Sequence, residues 1–223
     1  MLPEADGRSV VVVARRLSYL LIGAACVALL TAGIYMIATR HFYEAAAALS
    51  GLAIIGIILR LTRRLFPGEK RPILQAALAV VLFEAVFFGT VLDFYDKRPY
   101  FDKFNHGLAG AFLAIIGLIT FYWFNPEQRI RLSVRPGFVG FYCTGFAILG
   151  KVLWEFYEYA GDRILQANMQ RWQFGVVYAL TDTMLDLAVG LLGSVMISLL
   201  IWHKLKKDSQ KFYQDFISGF FIV

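Results

Sequence analysis

Six runs of mostly apolar residues, over 17–38, 43–65, 73–94, 104–124, 137–159 and 177–203, constrain this chain more than any other feature. A helix needs about 20 apolar residues to cross bilayer hydrocarbon, and there every backbone N–H must be paired internally. The pattern predicts an all-α fold: a polytopic membrane helical bundle of six transmembrane helices, forming one domain over 1–223. Composition agrees, with 59% hydrophobic and 17% charged residues, where a soluble domain carries about a quarter charged. The breaks between runs are polar turns. "RRLFPGEKRP" (63–72) and "NPEQRIRLSVRPG" (125–137) each combine Pro, Gly and charge.

The net charge of +6 does not point to nucleic acid, because the basic residues flank the apolar runs. Alternate connections hold 15 Lys and Arg on one side and 6 on the other, with Lys151 inside a span. The positive-inside rule then places both termini in the cytoplasm, and a bacterial cytoplasmic membrane is the expected location. The first run is too long for a cleaved signal and reads as a retained signal anchor. Cys26 and Cys143 lie in apolar segments, which argues against a disulfide framework or a thiolate metal site. The tail 211–223 repeats Phe212, Phe216 and Phe220 every four residues. It reads either as an interfacial helix or as a frayed hydrophobic end.

Of 16 acidic residues, eight fall at the outward ends of the third to sixth spans: Asp93, Asp96, Asp102, Glu155, Glu158, Asp162, Asp182 and Asp186. Spacing sorts them, since residues three or four apart share a helix face. Asp102 and His106 form one such pair, Glu155 and Glu158 a second, Asp182 and Asp186 a third. A charge at bilayer depth is costly and turns to the bundle interior or to water. The three faces are therefore expected to point at one another. Asp93, Asp96 and Asp162 read equally well as solvated loop residues, and Asp102 and Asp182 also complement helix dipoles. Deeper in the spans, Glu84 and Lys151 lie at similar depth and suggest an intramembrane ion pair. A Lys151–Glu155 pair along one helix is the rival. Gly107, Gly110, Gly190 and Gly193 read as close-packing positions.

"FDKFNHGLAGAF" (101–112), "WEFYEYAGD" (154–162) and "DTMLDLAVGLLGS" (182–194) occur in that order. Together they resemble the VanZ-like and YjdF-like small bacterial membrane proteins over roughly 93–194. The resemblance rests on Asp102, Lys103, His106, Trp154, Glu155, Glu158, Asp182 and Asp186. The WE-x-x-E form and the paired aspartates are closer to the YjdF-like branch. VanZ-like chains more often carry Gln and Asn where Glu158 and Asp186 stand, so a role in glycopeptide tolerance is not carried over.

Three functions fit an outward acidic and histidine pocket. The first is an enzyme on a lipid or lipid-linked substrate. Asp102, His106, Glu155, Glu158, Asp182 and Asp186 would supply acid–base groups, with Lys103, Trp154 and Arg163 (or Arg171) contacting the substrate. A metal-assisted version would use a divalent ion such as Zn, Mn, Mg or Ca on His106, Glu155 and Asp186, with Asp182 as the alternative to Asp186. No Ser or Cys nucleophile motif accompanies the histidine. The second is transport or flipping of a small amphipathic or ionic substrate, opposed by the apolar stretches 115–121 and 195–201. The third is a membrane scaffold with a structural acidic cluster.

Overall fold

Leu, Ala, Val, Ile and Phe fill long uninterrupted segments here, and such segments in lipid satisfy their backbone only as helices. The computed structural model describes residues 7–98, 100–125, 133–166 and 169–221. Among these no strand occurs. Six helices are long and apolar enough to cross a membrane. They are α1 (Gly7–Ala38), α2 (Phe42–Leu65), α3 (Arg71–Phe83, continued by a π-helical stretch Glu84–Val91), α5 (Phe101–Phe124), α6 (Pro136–Leu165) and α7 (Val176–Lys207). Short helices α4 (Phe94–Lys97) and α8 (Ser209–Phe212) are too short to span. Most of the expected 125–137 connection, and the last two residues of the tail, lie outside the described residues.

Two compact units divide the chain, 1–99 with 214–223, and Tyr100–Tyr213. In the first, α1, α2 and α3 pack through Leu29, Ala48, Ile55 and Ala79. The small side chains of Ala48 and Ala79 let the backbones approach. Gln75, 2% exposed, donates to Thr62 Oγ1 at 2.7 Å and Leu59 O at 3.2 Å, so its amide is not orphaned in the core. The tail returns to this unit. Gly68 N–H donates to Phe220 O at 2.9 Å and Lys70 N–H to Gly219 O at 2.7 Å, while Ile217 and Phe220 are buried.

In the second unit α5, α6 and α7 pack on one another, and glycine sets the closest approach. Gly110 lies against the Gly190 backbone, and Gly193 against the Gly107 carbonyl, so α5 and α7 cross with no side chain between them. Below the crossing, Ala114, Leu118, Ile119, Cys143, Ala147 and Ser194 are fully buried. Thr144 Oγ1 donates to Ser198 Oγ at 2.9 Å, and Ser194 Oγ to Leu191 O. The polar hydroxyls in this layer are thus satisfied locally. Phe141, Phe156, Leu192 and Met196 face outward as apolar surface.

Candidate functional site

The residues of interest lie on the first turns of α5, the later turns of α6 and the first turns of α7. Helical spacing puts Asp102 and His106 on one face of α5. Lys151, Glu155 and Glu158 form a stripe on α6, and Asp182 and Asp186 share a face of α7. The glycine crossing draws α5 and α7 together just beneath. All seven, with Lys103, belong to the second unit. Lys151, Glu155, His106 and Asp186 are each buried to 94% or more, at 2%, 5%, 6% and 2% exposure.

Two ammonium groups organise the cluster. Lys103 Nζ donates to Asp182 Oδ1 at 2.5 Å, Asp186 Oδ1 at 2.8 Å and Asp102 Oδ2 at 3.1 Å. One cation on α5 thereby ties that helix to α7 through the two carboxylates Asp182 and Asp186 and holds Asp102 beside them, and charge-assisted bonds of this kind are the strong ones. Lys151 Nζ is hydrogen-bonded to His106 Nδ1 and lies 3.7 Å from Glu155 Oε1. His106 Nε2 faces Asp102 Oδ1 at 3.3 Å. With the Lys151 ammonium as donor, Nδ1 accepts and the imidazole proton sits on Nε2, directed at Asp102. Asp102, His106 and Lys151 thus form a line of proton-carrying groups from α5 to α6.

Acidic side chains surround that line. His106 Nδ1 is 3.6 Å from Asp186 Oδ1 and 3.7 Å from Glu155 Oε1. Glu158 accepts from Trp154 Nε1 at 2.7 Å, and the Trp154 ring is exposed beside it. Glu155 has Glu158 and Thr183 as further polar neighbours, yet neither of its buried oxygens accepts a hydrogen bond.

Other expected residues stand elsewhere. Arg163 lies over the rings of Trp172 and Tyr159, at 4.6 and 5.2 Å, away from the carboxylates. Arg171, in left-handed conformation at φ 57°, brings its Nε within 3.9 Å of Asp182 Oδ2. Asp162 accepts from the backbone N–H groups of Met169 and Gln170, at 2.5 and 2.8 Å, and so shapes the turn after α6. Asp93, Asp96 and Glu84 belong to the first unit. Asp93 pairs with Lys97 at 3.4 Å on an exposed surface. Of the two partners expected for Lys151, Glu84 lies in the first unit and Glu155 in the second. The neighbours of Lys151 in the second unit are Glu155 and His106, a placement that the α6 stripe 151–155–158 foreshadows.

The chain matches the model of the family described as "Predicted membrane protein (DUF2238)" over residues 17–207, and it belongs to that family. No curated protein and no solved structure gives a significant match.

Proposed function

We propose that this member of the family is a membrane enzyme that transfers protons at the head group of a lipid or lipid-linked substrate. The observation carrying this reading is the Asp102–His106–Lys151 line. It holds a buried histidine between a carboxylate 3.3 Å from Nε2 and an ammonium on Nδ1. A histidine oriented by a carboxylate is the usual form of a general acid–base group. Glu155 and Glu158 supply a second acid–base pair next to it. Trp154, exposed and hydrogen-bonded to Glu158, offers an aromatic edge to an amphipathic substrate arriving from the bilayer.

The site is read as facing outward, with both termini cytoplasmic, from the excess of basic residues on the opposite side. The motif pattern keeps the YjdF-like resemblance as the finer family reading. Beneath the site, the stretches 107–124, 136–150 and 187–203 carry no Asp, Glu, Lys or Arg and pack through Ala114, Leu118, Ile119 and Ala147, which favours one-sided chemistry over transport. The test is a mass-spectrometric profile of membrane lipids and lipid-linked head groups. It compares cells producing wild type and His106→Ala at equal levels. At least one species should be converted by the wild type and left unconverted by the variant. Identical profiles would overturn the reading.

A further inference from the structure

One end of the first unit carries positive charge that nothing described there offsets. Arg60, Arg63 and Arg64 stand exposed on α2, and among the described residues none of their guanidinium groups forms an ion pair or a hydrogen bond. α1 runs antiparallel to α2, with Gly33 beside Ala48 and Leu49, and Gly51 beside Leu29. That register brings Arg15 and Arg16, also exposed, level with Arg64 and Leu65. The described acids at this end, Glu69 and Asp215, act on Lys70.

The positive-inside rule and the helix dipole explain basic residues at a helix end. They do not explain the depth and phase of Arg60. α2 runs to Leu65, so at about 1.5 Å per residue Arg60 lies roughly 7 Å inside the end of its own helix. An arginine at such depth snorkels to water or takes a counter-charge. The shape of α2 favours the second. Gly56, Arg60, Arg63 and Arg64 fall at i, i+4, i+7 and i+8, on one face of the helix. With Leu59 they line a cleft of about 480 Å³. A Cβ at Gly56 would meet nothing within 4 Å, so the glycine leaves a notch beneath the arginines.

Guanidinium groups pair bidentately with phosphate, and basic pockets beside spanning helices take anionic head groups. Choline and ethanolamine head groups bring their own cation. A phospholipid whose head-group charge is its phosphate alone does not. We propose that this face of α2 binds one anionic phospholipid, with its phosphate on Arg60, Arg63 and Arg64 and an acyl chain along the notch at Gly56. The proposal is independent of the proton-transfer cluster, which belongs to the second unit.

The experiment is native mass spectrometry of the full-length chain in detergent, with phosphatidylglycerol, phosphatidylcholine or inorganic phosphate added. Wild type should retain one phosphatidylglycerol per chain, at least about tenfold more tightly than phosphatidylcholine. A combined Arg60→Gln, Arg63→Gln and Arg64→Gln variant should bind it at least about tenfold more weakly. Lys204→Gln, Lys206→Gln and Lys207→Gln together remove the same charge from the exposed end of α7, and should stay within about threefold of wild type. Gly56→Leu keeps every charge but fills the notch, and should weaken binding more than the lysine variant does. It also guards against a folding artefact, because the new side chain starts in open space. Equal retention of the two lipids would overturn the proposal, as would a lysine variant that loses as much as the arginine variant. So would Gly56→Leu binding as wild type does. Displacement of the lipid by an equal concentration of inorganic phosphate would make this a free-anion site and overturn the lipid.

Discussion

Replacing Gly110 by alanine puts a methyl group where α5 meets α7. A Cβ there would stand 2.8 Å from the Gly190 carbonyl carbon and 2.9 Å from its Cα. Carbon atoms rest about 3.5–4.0 Å apart, so the helices must part by roughly 1 Å at this level. The obstacle is backbone, which cannot swing aside as a side chain can. Overpacking of this kind costs about 1–3 kcal/mol. Alanine's better helix propensity returns only about 0.5–1 kcal/mol. The net loss of about 1–2 kcal/mol lowers the folding equilibrium constant roughly 5–30-fold. Gly145, also within a spanning helix, is the internal standard, because a Cβ there meets nothing within 4 Å. Gly145→Ala should therefore be neutral or stabilising. Equilibrium unfolding in mixed detergent–SDS micelles reads both. The crossing lies one turn from His106, so Gly110→Ala should also loosen the Lys103–Asp186 bond, 2.8 Å long in the native packing. If Gly110→Ala proves as stable as Gly145→Ala, the close backbone contact is not what holds α5 to α7.

Polar groups outside the cluster are tested by three further substitutions. Gln75→Leu removes the donor to Thr62 Oγ1 and Leu59 O in the first unit, and should cost about 1–3 kcal/mol in the same unfolding assay. Thr62→Val removes that acceptor together with the hydroxyl's own bond to Ile58 O and leaves the buried Gln75 amide in place, so it should cost at least as much as Gln75→Leu. Asp162→Ala frees the N–H groups of Met169 and Gln170 and should lose about 1 kcal/mol, as lost caps do. Its mark should be faster proteolysis between α6 and α7, with the carboxylate cluster intact.

The spans were legible because lipid leaves a chain few choices. The apolar runs located all six long helices, and the ends moved for physical reasons. α1 begins at Gly7, well before residue 17. Arg15 and Arg16 interrupt the hydropathy without interrupting the helix, since arginine is a good helix former. α7 runs on to Lys207 because Lys204, Lys206 and Lys207 complement the dipole of its last turn. The division into two units was hidden, because apolar spans look alike whichever neighbours they pack on.

At the site, spacings of three and four residues were enough to put each polar pair on one helix face. Partner choice was not readable. Lys103 neighbours Asp102 in the chain, but its bonds to Asp182 and Asp186 depend on the glycine crossing that sets the distance between α5 and α7. Lys151 could be assigned by depth to Glu84 or by helical phase to Glu155, and only the packed helices bring it to His106. Arg163 and Arg171 looked interchangeable in sequence. The turn shaped by Asp162 sends one over Trp172 and the other to Asp182.

The central claim is that three helices close around one shared polar site. A double-mutant cycle between Lys103→Met and Asp186→Asn tests it most directly. Breaking a buried ion pair from one side costs about 3–5 kcal/mol. Lys103, whose side chain is 21% exposed, belongs at the lower end and Asp186, at 2%, at the upper. Removing both should cost less than the sum of the singles, with a coupling of about 1–3 kcal/mol in equilibrium unfolding. Additivity within about 0.5 kcal/mol would mean that Lys103 and Asp186 do not meet, and would contradict the site itself.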